Sequence, residues 1–215
     1  MGVSRDCPLC GGPSRPFFTG ARSFVYCPGC LYIFTRQQAD VAEAEAWYKG
    51  QWEGQAWDDP ATVAETLMTH YGATGPILDL GSGSGGLTGE LRRRGHDVTP
   101  VEPMIHGRLD EQPPHESFGV VLMVEVIEHL LDPLSLLDEV DRRARGDALY
   151  IVSTFLIDAI LGGDDPVGAF EQWWYKDDPT HVGFFSTRSF ALLAEARGYD
   201  VTFFGDKVIG LKRRG

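Results

Sequence analysis

Beyond position 30 the chain has no cysteine, and nowhere does it carry a long apolar run, an internal repeat or a low-complexity tract. The missing apolar run rules out a bilayer-spanning helix, which needs roughly 20 such residues. The opening Met1-Gly2-Val3-Ser4-Arg5-Asp6-Cys7 has no signal-peptide h-region. A cytoplasmic protein with no membrane partner is the expectation. Positive charge is also scarce, 19 Lys and Arg against 31 Asp and Glu, a net charge of −12. That balance disfavours nucleic acid, whose non-specific binding needs cations to displace phosphate counterions. A small molecule is the expected partner. What is present is ordinary for a folded chain: of 215 residues, 43% are hydrophobic and 23% charged. Those proportions exclude disorder, collagen-like repetition and coiled coil. The length fits one large domain, or a domain of about 150–170 residues with a small module.

The four cysteines form two C-x-x-C pairs, Cys7-Pro8-Leu9-Cys10 and Cys27-Pro28-Gly29-Cys30, with sixteen residues between them. This is the spacing of a four-cysteine zinc ribbon. Each C-x-x-C turn aims two thiolates at one ion, and an intervening hairpin brings the second turn opposite the first. Pro8 and Pro28 stiffen the turns, while Gly11 and Gly29 permit the tight backbone. Disulfides or redox-active dithiols are the alternatives. A cytosolic location disfavours the first and duplication of the motif the second. A closed structural zinc site would fold a segment too short to build its own core.

Downstream, Leu31–Phe34 reads as a short strand and Val41–Tyr48 as a helix capped by Asp40. Asp59-Pro60 has the form of a helix start and reaches about Tyr71. Strands then alternate with helices: Ile77–Leu80 strand, Leu87–Arg94 helix, Asp97–Val101 and Phe118–Val124 strands, Pro133–Arg145 helix, Ala148–Ser153 strand. A Thr187–Arg197 helix and two strands, Val201–Phe204 and Val208–Lys212, close the chain. Alternation of this kind implies an α/β fold, a mostly parallel sheet between helices, with an antiparallel hairpin at one edge. The expected division is a ribbon over 1–36, an aromatic linker or lid over 37–59, and the α/β domain over 60–215.

The strand Ile77–Leu80 runs into Gly81-Ser82-Gly83-Ser84-Gly85-Gly86 and then a helix. Glycines there let backbone amides approach a ligand, and a helix N-terminus favours an anionic group. Glu102 ends the next strand, 23 residues after Asp79, where an acid can accept from ribose hydroxyls. Taken alone, the glycine run suits a dinucleotide equally well, or is a plain turn. The whole string from Ile77 to Gly85, with Val101-Glu102-Pro103 and Phe118-Gly119-Val120-Val121-Leu122, resembles class I S-adenosylmethionine-dependent methyltransferases over roughly residues 60–215. The resemblance implies a Rossmann-like sheet and S-adenosylmethionine as cofactor. Asp79, Gly81, Ser82, Gly83 and Glu125 would line its pocket and Glu102 would hold its ribose. Two departures stand out. Only 23 residues separate Glu102 from Glu125, so the second crossover helix is expected to be missing or reduced to Met104–Arg108. Gly119 also stands where that family usually has Asp. Leu109 or Asp110 are the candidates beside adenine.

Glu125-Val126-Ile127-Glu128-His129-Leu130 carries the densest chemistry. Spacings of three and four place Glu125, Glu128 and His129 on one helical face. Asp177-Asp178-Pro179-Thr180-His181 adds a second histidine in a later loop. The combination resembles ubiquinone-pathway O-methyltransferases and small-RNA 2′-O-methyltransferases. By that likeness Glu125, Glu128, His129 and His181 would hold a second divalent metal that activates a hydroxyl. Otherwise Glu128, His129 and His181 act catalytically without metal, a histidine serving as general base, or the string caps a helix beside the pocket. The aromatics Trp47, Tyr48, Trp52, Trp57, Trp173, Trp174 and Tyr175 are either a stacking surface or lid packing.

The expected activity is methyl transfer to a small-molecule acceptor, at oxygen. The alternatives are an RNA methyltransferase that grips nucleic acid through its ribbon, a non-catalytic cofactor-binding protein, and a nicotinamide dehydrogenase.

Overall fold

The computed structural model describes residues 6–40, 42–43, 59–102, 109–111 and 118–214. In chain order its elements are β1 (Arg15–Thr19), β2 (Ser23–Cys27), β3 (Tyr32–Phe34), α1 (Pro60–Tyr71), β4 (Ile77–Leu80), α2 (Gly86–Arg93), β5 (Val98–Val101) and β6 (Phe118–Val124). They continue with α3 (Pro133–Asp141), β7 (Ala144–Ser153), α4 (Asp158–Leu161), α5 (Pro166–Glu171), β8 (Gly183–Phe184), α6 (Thr187–Arg197), β9 (Tyr199–Phe204) and β10 (Val208–Arg213). The helix expected over 41–48, apart from residues 42 and 43, lies outside the described residues. So do Trp47, Tyr48, Trp52, Trp57 and the stretch Met104–Arg108.

The chain forms two compact units, neither of them contiguous: Met1–Ala56, Glu128–Pro133 and Phe155–Leu193 make one, and Trp57–Ile127, Leu134–Thr154 and Ala194–Gly215 the other. The second unit contains a six-stranded sheet in the order β5-β4-β6-β7-β10-β9. Strands β5, β4, β6 and β7 run parallel, while β10 lies antiparallel between β7 and β9. It is the mostly parallel α/β sheet expected from the alternation, with the terminal hairpin at one edge, and it has the Rossmann-like form that the resemblance implies. Among the described residues no strand lies beyond β5, in keeping with the short stretch after Glu102. β4 and β6 are buried along nearly their whole length because both have neighbours on either side.

One apolar layer of that sheet packs Ala61, Ala64 and Leu67 of α1 and Leu91 of α2 against Ile77, Val98, Val120, Leu122, Leu149 and Ile151. Each large side chain in the layer contributes about 1.5–3 kcal/mol by leaving water. α1 starts where Asp59 Oδ1 accepts from the amides of Ala61 and Thr62 and Pro60 takes the first turn. It stops where Gly72, at φ 60°, sends its amide back to the last turn. α3 is shorter than its sequence pattern. It ends at Asp141, and β7 begins at Ala144 because Ala144 pairs with Phe118 ahead of a register shift. Pairing across the sheet overrides the helix propensity of Arg142–Arg145.

The first unit holds a four-stranded sheet, β1-β2-β3-β8, all neighbours antiparallel. Three strands come from the cysteine-bearing segment and the fourth arrives about 150 residues later in the chain. Phe24, Ile33, Ile157, Ile160, Phe170, Tyr175 and Phe184 form its core.

Candidate active site

The carboxyl end of β4 leads into three left-handed glycines: Gly81 (φ 71°), Gly83 (φ 51°) and Gly85 (φ 84°). At Gly81 a Cβ would fall inside the van der Waals radius of Val126 Cγ2, so both space and backbone demand glycine. The amides of Gly81 and Ser82 donate to the Val101 carbonyl, which ties the loop to the end of β5. Behind the loop Asp79 is buried and accepts a hydrogen bond from Thr88 Oγ1 on α2. Gly85 caps α2 with no side-chain bond, leaving amides of its first turn open. The Ser82 hydroxyl oxygen is buried without a hydrogen-bond partner. An orphaned hydroxyl beside open amides and left-handed glycines fits a polar small molecule laid across the loop. Glu102 follows β5 directly and is half-buried. Leu109 is buried and Asp110 exposed on a short 3-10 turn.

Glu125 follows β6 directly at φ 54°, a left-handed conformation rare outside glycine and costly without support. Support comes from its own amide on the Ser153 carbonyl, the Ser153 hydroxyl 2.9 Å from its Oε1, and Lys207 Nζ at 3.6 Å. The next residues form a 3-10 turn, Ile127–His129, instead of an α-helix. Glu125, Glu128 and His129 therefore do not share the helical face that their spacing predicts. A left-handed residue at the start of the string resets the direction of everything after it.

Glu128, His129 and His181 are brought together, their ligand atoms all within 4.8 Å of one another, and Glu125 is not in that set. Glu128 is fully buried and accepts from the Tyr175 hydroxyl. His181 Nδ1 lies 2.7 Å from the Tyr175 carbonyl, and its ring is 4.6 Å from that of His129. Burial, with His129 as a second cause, pushes the His181 pKa down to about 4. His129 Nδ1 is 3.3 Å from the Thr180 carbonyl.

The four cysteines also converge, with Cys7 and Cys30 Sγ 3.5 Å apart and Cys10 and Cys27 Sγ 3.5 Å apart. They are free thiols, far beyond the roughly 2.05 Å of a disulfide. Four sulfurs about 2.3 Å from one tetrahedral ion would stand about 3.8 Å from each other, so the donor set fits zinc. The hydrogen bond from Cys30 pulls the Cys7 thiol down to about 5, and the same pairing pushes Cys30 up.

The methyltransferase-domain family matches residues 58–202. The chain belongs to that family. No curated protein sequence matches it. Among solved structures, this methyltransferase is similar to a plantazolicin methyltransferase in complex with a triazolic desmethyl analogue and S-adenosylhomocysteine, at 16% identity. The likeness covers 82% of this chain and 92% of that one, with a TM-score of 0.56. It is also similar to the Burkholderia thailandensis 1,6-didemethyltoxoflavin-N1-methyltransferase, at 18% identity over 94% of this chain and 100% of that one, TM-score 0.55. A third is the magnesium protoporphyrin IX methyltransferase of Synechocystis PCC 6803, at 12% identity over 81% and 96%, TM-score 0.54. Likeness at such identities is one of fold.

In this methyltransferase Gly119 has a steric reason: a Cβ there would collide with the Thr74 carbonyl. Trp173 and Tyr175 are packing residues, set against Phe184, Phe155 and the His181 ring, while Trp174 remains 56% exposed. Sequence reasoning missed Tyr175 as the partner of Glu128, and Ser153 and Lys207 as partners of Glu125. Arg22 was missed entirely.

Proposed function

We propose that this methyltransferase uses S-adenosylmethionine and methylates a small-molecule acceptor, at an oxygen. The carrying observation is the loop after β4, with its left-handed glycines, open helix amides and the buried, unpartnered Ser82 hydroxyl. When bound, S-adenosylmethionine supplies a methyl group on a positive sulfur, an electrophile for in-line displacement. Asp79 holds the loop through Thr88, the glycine amides and Ser82 bind the cofactor's polar end, and Glu102 accepts from its ribose hydroxyls. The residues thus bind and orient, and exclude water. A net charge of −12 supports a small acceptor over nucleic acid.

On the acceptor side we assign Glu128, His129 and His181. A histidine whose pKa is near 4 is neutral at pH 7. It is also a weak base, because general bases work best when poised near the operating pH. That favours His181 as a neutral metal ligand over His181 as proton acceptor. Two imidazoles and a carboxylate are the protein donor set of a catalytic divalent site. Such an ion would lower the pKa of an acceptor hydroxyl. The four cysteines we assign to a structural zinc, and free thiols in that role support a reducing, cytoplasmic setting.

Calorimetric titration with S-adenosylmethionine tests the reading. Glu102→Ala removes two charge-assisted hydrogen bonds and should weaken binding by about 2–4 kcal/mol. An unchanged dissociation constant would remove Glu102 from the site. Failure of the wild-type protein to bind at all would sink the proposal.

A further inference from the structure

Arg22 sits in the turn between β1 and β2, outside every motif, yet one loop takes up both terminal nitrogens of its guanidinium. Nη1 donates to the carbonyls of Pro179 (3.0 Å) and His181 (2.8 Å). Nη2 donates to the carbonyls of Asp178 (2.7 Å) and Lys176. Its Cζ lies 5.1 Å from the Phe24 ring centroid, which holds the group from the other side. Four carbonyl oxygens converging on one point repel each other unless a donor with several fixed N–H vectors sits among them. A guanidinium meets that need; an ammonium, with three donors on one atom, does not span the loop.

The loop so held ends in His181. A carbonyl can only accept, so the 2.7 Å contact to Tyr175 requires the proton of neutral His181 on Nδ1. Nε2 is then left with its lone pair, and Asp178 Oδ2, at 3.6 Å, is beyond hydrogen-bond reach of it. The two carbonyls at the ends of the clamp, Lys176 and His181, flank the turn that closes this bond. Inside the turn Asp178 binds back to the amides of Thr180 and His181.

We propose that Arg22 is a positioning residue for His181, fixing through those four carbonyls the loop conformation that keeps Nδ1 protonated and Nε2 free to bind. The proposal rests on the reading of His181 as part of the acceptor site. Its test is spectroscopic and needs no acceptor. The full zinc-loaded chain is labelled with 15N-histidine, and long-range 1H–15N spectra are recorded at pH 7. There are six histidines, and the His181 signal is the one lost in His181→Ala. The wild type should show His181 protonated at Nδ1 with slow exchange. In Arg22→Lys and Arg22→Ala, proton occupancy should move to Nε2 and exchange of the remaining Nδ1 proton should quicken at least about tenfold. Unchanged amide signals from Ile33 and Ile157, in the core of the same unit and labelled alongside, certify the fold. The lysine variant serves where the alanine one does not fold. Retention of the protected Nδ1 proton in either variant overturns the proposal, as does a wild-type proton on Nε2. Manganese(II) separates the two readings. If it leaves His129 and His181 unbroadened while the tautomer still depends on Arg22, the metal assignment fails and the positioning role stands.

Discussion

Gly81 shows how one residue can be both fold and site. Its left-handed φ and its contact with Val126 leave no room for a methyl group. Gly81→Ala should therefore cost about 1–3 kcal/mol of stability and weaken S-adenosylmethionine binding more than a surface substitution of equal stability cost. Denaturant midpoints read the first and calorimetry the second; an alanine variant with the wild-type midpoint would show that the loop yields freely. The need for glycine here was legible in sequence, because three glycines after a buried strand have few other uses. The left-handed Glu125 was not. Nothing local marks it, and it is sustained by Ser153 and Lys207, partners 28 and 82 residues away in the chain. The same holds for Arg22, whose partners lie more than 150 residues downstream. Side chains whose role is to bond distant backbone leave no pattern in sequence.

Among the elements, those with their own signals came through with sound boundaries. α1 carries cap, proline and terminal glycine, and folds from Pro60 to Tyr71. Its cap is also an electrostatic node: Arg94 on the turn after α2 reaches Asp59, Glu65 and Glu90, all within 2.7 Å. Hydrogen bonds from Thr62 and Arg94 hold Asp59 down to about 2, and those from Arg93 and Arg94 hold Glu90 down to about 2. Both carboxylates titrate lower when folded, so their contribution is present above about pH 4. It is lost as the pH falls from there to about 2. The groups are exposed, so salt should erase much of the effect. Arg94→Gln should therefore lower the thermal midpoint at pH 7 in dilute buffer, less at pH 2.5, and little in 1 M salt. An equal loss under all three conditions would mean that packing, not charge, makes the difference. α3 and β7 show the opposite case, since their boundary was decided by pairing with β6 rather than by local preference.

At the scale of the whole molecule, the order of motifs along the chain is a poor guide to what packs with what. The cysteine segment looked self-contained because its four cysteines are close in sequence. Yet β3 pairs with β8, and the Cys30 carbonyl accepts from the Ser186 and Ser189 hydroxyls. Deleting residues 1–56 should thus leave β8 without its sheet and Phe170 and Phe184 without Phe24 and Ile33. The expected product melts without cooperativity and shows poor amide dispersion; a sharply melting, well-dispersed fragment would contradict the division into two interleaved units. The place of β10 has a further consequence, for synthesis. It leaves the ribosome after both of its neighbours, yet it fills an interior position between β7 and β9. Until residue 213 has emerged, the nascent chain carries β7 as a bare edge, six of its ten residues buried in the finished protein. An open apolar strand is what holdase chaperones bind and what seeds misassembly. Emergence of Val208–Arg213 therefore decides whether that open edge is closed by its own chain or captured by another.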